Sequence, residues 1–269
     1  MKDPFTTYVV VGQFSLKGMG MMNEEVNLLV LATQYMFWVG FVGMAAATLY
    51  FLVERSSLDP EYRSVATVAA LVTFVAAIHY YFMKDAVGDS GLLSEITGFP
   101  TEIRYIDWLV TTPLLLIKFP LLLSLQGKMK TGLLTKLIIA DIIMIVAGYL
   151  GESSINLNSG FTQLGLWGYI VGCIAWLYII YLLFTNVTKA AETSPPPIRK
   201  ALLNMRLFIL IGWAIYPIGY AVTLFATGIE VQLVRELIYN VADLINKVGF
   251  GLIAFFAVKT ISTQKQVKA

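Results

Sequence analysis

One cysteine and one histidine in 269 residues remove two kinds of chemistry at once. Cys173 has no partner for an internal disulfide, and no metal-ligand spacing surrounds it. His79 alone cannot build a histidine metal cluster, so no metal is expected. Charge is also scarce. Asp, Glu, Lys and Arg make up 13% of the chain and leave a net +2, with no basic patch suited to nucleic acid. No stretch reads as a soluble domain. What fills the chain is apolar: 58% of residues are hydrophobic and the mean hydropathy is +0.74. Runs long enough to cross ~30 Å of hydrocarbon recur along it. The expected class is an all-α membrane protein whose first partner is the lipid bilayer.

Seven apolar segments are read, at about 27–53, 64–83, 102–125, 133–150, 161–187, 198–226 and 231–261. Polar, turn-rich links separate them, such as 84–91 and 151–160. Three consecutive prolines, Pro195 to Pro197, are expected to break the chain before the sixth segment, and Pro217 to kink that segment. Residues 1–26 read as an extracellular tail, with a leader peptide or a second start at Met21 or Met22 as alternatives. The domain is then 27–261, followed by a tail at 262–269. Orientation comes from the basic residues. Arg55, Arg63, Lys128, Lys130, Lys136, Lys189, Arg199, Lys200, Arg206, Lys259, Lys265 and Lys268 fall on one side of the bundle. Only Lys2, Lys17, Lys84, Arg104 and Arg235 fall on the other. The first side is expected to be cytoplasmic, which puts the N-terminus outside and the C-terminus in the cytoplasm. A homo-oligomer is compatible with the sequence, which sets no stoichiometry.

Lys118 and Lys247 belong to neither side. An ionisable group inside the membrane costs several kcal/mol and by default marks a functional site. Lys247 has Asp243 at i−4, on the same helix face. In the third segment Asp107 and Thr111 are also i,i+4 neighbours. Lys118 lies eleven residues beyond Asp107, three turns on, so it returns to nearly the same face at roughly 16 Å along the axis. An apolar surrounding favours the neutral form of a carboxyl and of an amine, which suits both to carrying protons. Arg104 lies one turn outside Asp107, where it would guard the exit. Taken singly, each residue also suits a structural role. Asp107 could pair with Arg104, Lys118 could snorkel to the interface, and His79 could be a core histidine. Asp141 could bond a neighbouring helix, and Trp213 and Tyr216 could be core packing. Together they make one site. An elongated apolar ligand joined to Lys247 would explain the aromatic walls, and a cationic linkage there would need Asp107 and Asp243 as counter-ions.

Arg104-Tyr-Ile-Asp-Trp-Leu-Val-Thr-Thr-Pro-Leu-Leu-Leu116, Trp213-Ala-Ile-Tyr-Pro217 and Asp243-Leu-Ile-Asn-Lys247 resemble the third-, sixth- and seventh-helix motifs of the microbial rhodopsins. Within that family they resemble the proteorhodopsin-like proton pumps, in the group with lysine at the donor position. The resemblance spans all seven segments. It implies a seven-transmembrane-helix bundle with all-trans retinal bound to Lys247 as a protonated Schiff base. It makes Asp107 the primary proton acceptor and counter-ion, and Asp243 the second counter-ion. Trp108, Thr111, Thr112, Met144, Trp213, Tyr216 and Pro217 fall at retinal-pocket positions, and Leu115 at a colour-tuning position associated with green absorption. His79 matches the histidine that hydrogen-bonds the acceptor. Lys118 stands where most such pumps carry a carboxylate proton donor. A lysine there would be held neutral until a proton enters, and would then load and deliver it in quick succession.

The resulting expectation is a light-driven outward proton pump, a transporter and not an enzyme, in the plasma membrane. Its release group is open among Glu95, Glu102, Glu152, Glu230 and Glu236. The first rival is a retinal photosensor signalling through a partner membrane protein; it would not need Lys118. An anion pump normally lacks the carboxylate at Asp107, and a sodium pump would resemble a different third-helix pattern. A transporter that does not respond to light would be colourless.

Overall fold

The computed structural model describes residues 27–87, 91–96, 98–124, 132–155 and 160–268. Within them, seven helices are long and apolar enough to cross a membrane: α1 Leu28–Ser57, α2 Pro60–Val87, α3 Thr101–Ser124, α4 Leu133–Glu152, α5 Gln163–Ala191, α6 Pro196–Phe225 and α7 Ile229–Val267. The expected tail at 1–26 lies outside the described residues, as do Lys128 and Lys130.

Local chemistry places the ends. The Asn27 side chain accepts from the Leu29 and Val30 amides at 2.9 and 3.4 Å and opens α1. Thr162 does the same for α5, accepting from the Gly165 amide at 2.8 Å. The proline run was expected to stand outside α6. Instead Pro196 and Pro197 form its first turn, where a missing N–H costs nothing and the fixed φ is already helical. At its far end α7 continues six residues beyond the expected 261, into the expected tail. The Ser262 hydroxyl there accepts from the Asp59 amide at 3.1 Å, and Lys265 pairs with Glu61.

The helices close into a ring. Each of α1 to α6 packs against its successor, and α7 packs back against α1. Polarity is inverted relative to a soluble protein. Leu49, Phe74, Ile174, Ile211 and Ile218 face outward, while Arg104, Asp107, Lys118, Asp243 and Lys247 lie inside. α4 and α5 pack backbone against backbone. A Cβ on Gly168 would sit 2.5 Å from the Ala147 carbonyl and 2.6 Å from Gly151 Cα, so only glycine permits that contact. The interior divides into two halves. Toward Lys118 it is a continuous apolar core including Phe51, Leu116, Phe119, Leu183, Met205 and Phe250. Toward Arg104 it is a hydrogen-bonded polar array.

Three helices are interrupted. In each, one wide turn replaces the regular i→i+4 ladder: Leu183–Val187 in α5, Phe208–Gly212 in α6 and Ile245–Gly249 in α7. The turn in α7 holds Lys247. The turn in α6 leads directly into Trp213 and lies one helical turn before Pro217, the residue expected to kink that helix. Such single wide turns are frequent at functional sites.

Candidate functional site: a buried lysine between two unequal carboxylates

The Lys247 amine meets carboxylates of two helices. It hydrogen-bonds Oδ2 of Asp107 on α3, and Oδ2 of Asp243 on its own helix at 3.0 Å. All three side chains are essentially inaccessible to solvent, at 2%, 0% and 1% exposure. Removing either carboxylate would therefore leave a buried charge poorly compensated.

The two carboxylates differ in their remaining partners. Asp243 also accepts from the Tyr216 hydroxyl at 2.6 Å, the Tyr80 hydroxyl at 3.0 Å and the Trp108 indole at 3.2 Å. Asp107 offers its second oxygen, Oδ1, to no hydrogen bond. Below it, the Thr111 hydroxyl donates to the Asp107 backbone carbonyl at 2.8 Å and not to the carboxylate. A carboxylate with four donors is held in place and in its charged form; one with a single donor has capacity for a proton.

Neither His79 nor Arg104 hydrogen-bonds the Asp107 carboxylate. His79 Nδ1 lies 2.8 Å from the Val75 carbonyl, which can only accept, so the ring proton is directed back along its own helix. The distance from that nitrogen to Asp107 Oδ1 is 3.8 Å, an ion-pair separation and not a hydrogen bond. Arg104 is likewise turned away. Its guanidinium donates to Glu236 at 2.5 Å and to Asn240 at 2.8 Å on α7, and lies 3.6 Å from Asp243. Its fork geometry suits the two acceptors of one helix face better than a carboxylate already held by Lys247.

Lys118 does not snorkel. It is fully buried, its Nζ has no hydrogen-bond partner, and the Phe250 ring centre lies 5.2 Å away. Asp141 has the structural role read for it: its Oδ2 lies 2.9 Å from the Thr112 hydroxyl and joins α4 to α3.

Beside Lys247 the helices border a partly open, apolar cavity of about 90 Å³. Trp108, Thr112, Leu115, Met144, Trp213, Tyr216, Pro217, Asp243 and Lys247 line it. Thr111 does not. The wall that motif reading missed comes from Tyr105 on α3, Ile145 and Gly148 on α4, Gly168, Tyr169, Gly172, Cys173 and Trp176 on α5, Tyr220 on α6 and Asn246 on α7. A weak signal for it did exist, because Gly168, Gly172 and Trp176 repeat at four-residue spacing and so share a helix face. Trp108 and Tyr216, both in the cavity wall, meet edge to face at 4.9 Å. An apolar cavity with seven aromatic side chains and the Lys247 amine in its wall suits an apolar molecule joined through that amine.

Beyond Arg104, toward the end of the bundle, Arg235 bridges two further buried carboxylates. It donates to Glu152 at 2.5 Å and to Glu236 at 2.7 Å, and the Tyr105 hydroxyl donates to Glu152 at 2.6 Å. Of the other acidic residues considered, Glu102 and Glu230 are exposed, and the Glu95 side chain lies outside the described residues.

A ring of seven helices around a buried lysine and its paired carboxylates defines a microbial rhodopsin. The family described as bacteriorhodopsin-like protein matches residues 31–261, and this chain belongs to it. The solved rhodopsin of Exiguobacterium sibiricum is 84% identical, covering 88% of this chain and 100% of that one with a TM-score of 0.84. The green-light absorbing proteorhodopsin of gamma-proteobacterium EBAC31A08 is 37% identical over 219 residues, 81% of this chain and 82% of that protein. Xanthorhodopsin, described as a light-driven ion pump with dual chromophore, is 28% identical with a TM-score of 0.76 over 88% of this chain and 96% of its own. The chain is thus a type 1 rhodopsin and a multi-pass protein of the plasma membrane.

Proposed function

We propose that this chain is a light-driven outward proton pump that carries all-trans retinal on Lys247. The observation that carries the reading is the inequality of Asp107 and Asp243 at one lysine nitrogen. The cavity walls and the Lys247 amine among them fit retinal, which when bound would supply the light-driven change of shape and a titratable nitrogen at Lys247.

The protein's own residues then have distinct tasks. Asp243, fixed by Tyr80, Trp108 and Tyr216, stays charged and holds the lysine nitrogen in register. Asp107 takes the proton from that nitrogen, because its free oxygen can hold it without displacing another donor. His79, at 3.8 Å, acts on Asp107 through its field. The fully buried amine of Lys118 returns a proton to the Lys247 nitrogen from the cytoplasmic side. Its apolar shell keeps water from short-circuiting that route.

The exit is the array around Arg104 and Arg235. Three buried cations, Lys247, Arg104 and Arg235, stand against four buried carboxylates, Asp107, Asp243, Glu236 and Glu152. An unbalanced buried charge is costly, so the array favours holding one proton among its carboxyls. Glu152 and Glu236, bridged by Arg235, are the pair from which we propose it leaves. Arg104 separates them from the lysine and opposes return of a cation.

The test is to express the chain with retinal and illuminate cells in unbuffered medium. Acidification outside that a protonophore abolishes is the expected result. A coloured protein that does not acidify the medium would point to a photosensor, and a colourless one would defeat the reading altogether.

A further inference from the structure

The basic residues at the Lys118 end of the bundle divide into two sectors. Where α1, α2 and α7 end, Lys259 pairs with Glu54 and Lys265 with Glu61. Where α4, α5 and α6 end, Lys136, Lys189, Arg199, Lys200 and Arg206 stand with a single acid, Glu192. Among the described residues none of these five makes an ion pair. The sequence at 125–131 adds Lys128 and Lys130 and no acid. Arg206 is the innermost of the five on α6 and α5. It lies roughly 15 Å along α6 from Pro196, where the helix begins, and helical side chains lean back toward that end. α5 builds a seat for it. The guanidinium carbon lies 4.4 Å from the centre of the Phe184 ring, and the guanidinium donates to the Thr188 hydroxyl. Thr188 follows the wide turn Leu183–Val187, and its hydroxyl gives its own proton to the Leu183 carbonyl at 3.3 Å, which leaves a lone pair for Arg206. The Arg206 Nε is buried with no hydrogen-bond partner, while the residue as a whole is only partly buried.

A stacked, oriented guanidinium with unused donors and no counter-ion is half of an anion site. Two further cations lie within reach of it. Lys189 follows Thr188 in sequence and is exposed, and Arg199, also exposed, lies two turns before Arg206 on the same face of α6. The flank is apolar: Tyr181 of α5 and Leu207 and Ile211 of α6 are 60%, 41% and 65% exposed. A soluble anion would leave that flank bare, whereas acyl chains would cover it. Clusters of basic residues at helix ends attract anionic headgroups, and the Phe184–Thr188 seat gives one of these cations a fixed position. We propose that the α5–α6 edge of this basic face binds an anionic phospholipid, its phosphate held by Arg206 with Lys189 and Arg199 and its acyl chains laid along Tyr181, Leu207 and Ile211. The site goes beyond the pump reading and does not depend on it.

The full chain, purified in a neutral detergent and titrated with phosphatidylglycerol or phosphatidylcholine, tests the proposal, with bound lipid counted by mass spectrometry of the intact protein. One basic residue near an anionic headgroup is worth about fivefold in affinity. Phosphatidylglycerol should therefore be retained at least about fivefold more strongly than phosphatidylcholine. Arg206→Gln and Lys189→Gln should each lower its retention about three- to tenfold. Lys265→Gln removes the same charge from the paired sector and should leave retention within about twofold of the parent. Equal retention of the two lipids would overturn the proposal. So would equal losses from Lys265→Gln and Arg206→Gln, which is the result that attraction to net charge alone predicts. Inorganic phosphate in excess should not displace the lipid. Full displacement would mark a site for a soluble anion and overturn the assignment to a lipid. Should Arg206→Gln fail to assemble, Lys189→Gln and Arg199→Gln decide by the same criteria. The measurement needs neither retinal nor light, so its failure and the failure of the pump reading are separate results.

Discussion

Asp107 and Asp243 approach the same amine, yet Asp243 accepts from Tyr80, Trp108 and Tyr216 as well while Oδ1 of Asp107 accepts from nothing. On the proposed reading this inequality gives them different work. Asp107→Asn should keep a coloured protein but abolish light-driven acidification, because an amide cannot take the proton. Asp243→Ala should instead cost about 3–5 kcal/mol of stability by leaving buried donors and a cation unpaired. Thermal loss of colour measures the second and pH recording the first. The reverse pattern would exchange the two roles.

Lys247→Ala removes the amine in the cavity wall. No chromophore should bind, and the protein should stay colourless after retinal is added. A visible band in this variant would refute the linkage.

Lys118→Ala removes the buried amine beside Phe250. The proton for the Lys247 nitrogen must then come from bulk, where its concentration falls roughly tenfold per pH unit. Reprotonation, followed by flash-induced absorbance, should slow at least about tenfold near neutrality and become slower as pH rises. Unaltered kinetics would make Lys118 a packing residue.

His79→Asn should shift the midpoint at which the visible band titrates, because that midpoint reads the proton on Asp107 and a neighbour at 3.8 Å contributes to its field. With no hydrogen bond between them, His79→Asn should leave the fold intact. An unmoved midpoint would remove His79 from the site.

Glu236→Gln removes one of the two carboxylates on Arg235 while keeping a hydrogen-bonding side chain of the same shape. Appearance of the proton in the medium, followed with a pH-indicating dye, should lag further behind its departure from the Lys247 nitrogen. An unchanged lag would place release elsewhere.

Much of this protein was legible before any coordinates. Seven apolar runs define seven spans because a bilayer accepts only chains that satisfy their own backbone. Lys247, Asp107 and Lys118 stand out because an ionisable side chain is so costly in hydrocarbon. Spacing along a helix put Asp243 and Lys247 on one face, since i and i+4 neighbours are set by the helix itself. None of these inferences needs a second helix. What tertiary packing decided is which atoms of different helices meet. The donors on Asp243, the turn of Arg104 toward Glu236 and the meeting of Arg235 with Glu152 all depend on side-chain directions across interfaces. So does the α4–α5 wall, where Gly168 matters only because Ala147 and Gly151 are pressed against it. Helical periodicity fixes a residue's face to within one turn, whereas a hydrogen bond needs an atom placed to within a few tenths of an ångström, and only the packed bundle supplies that.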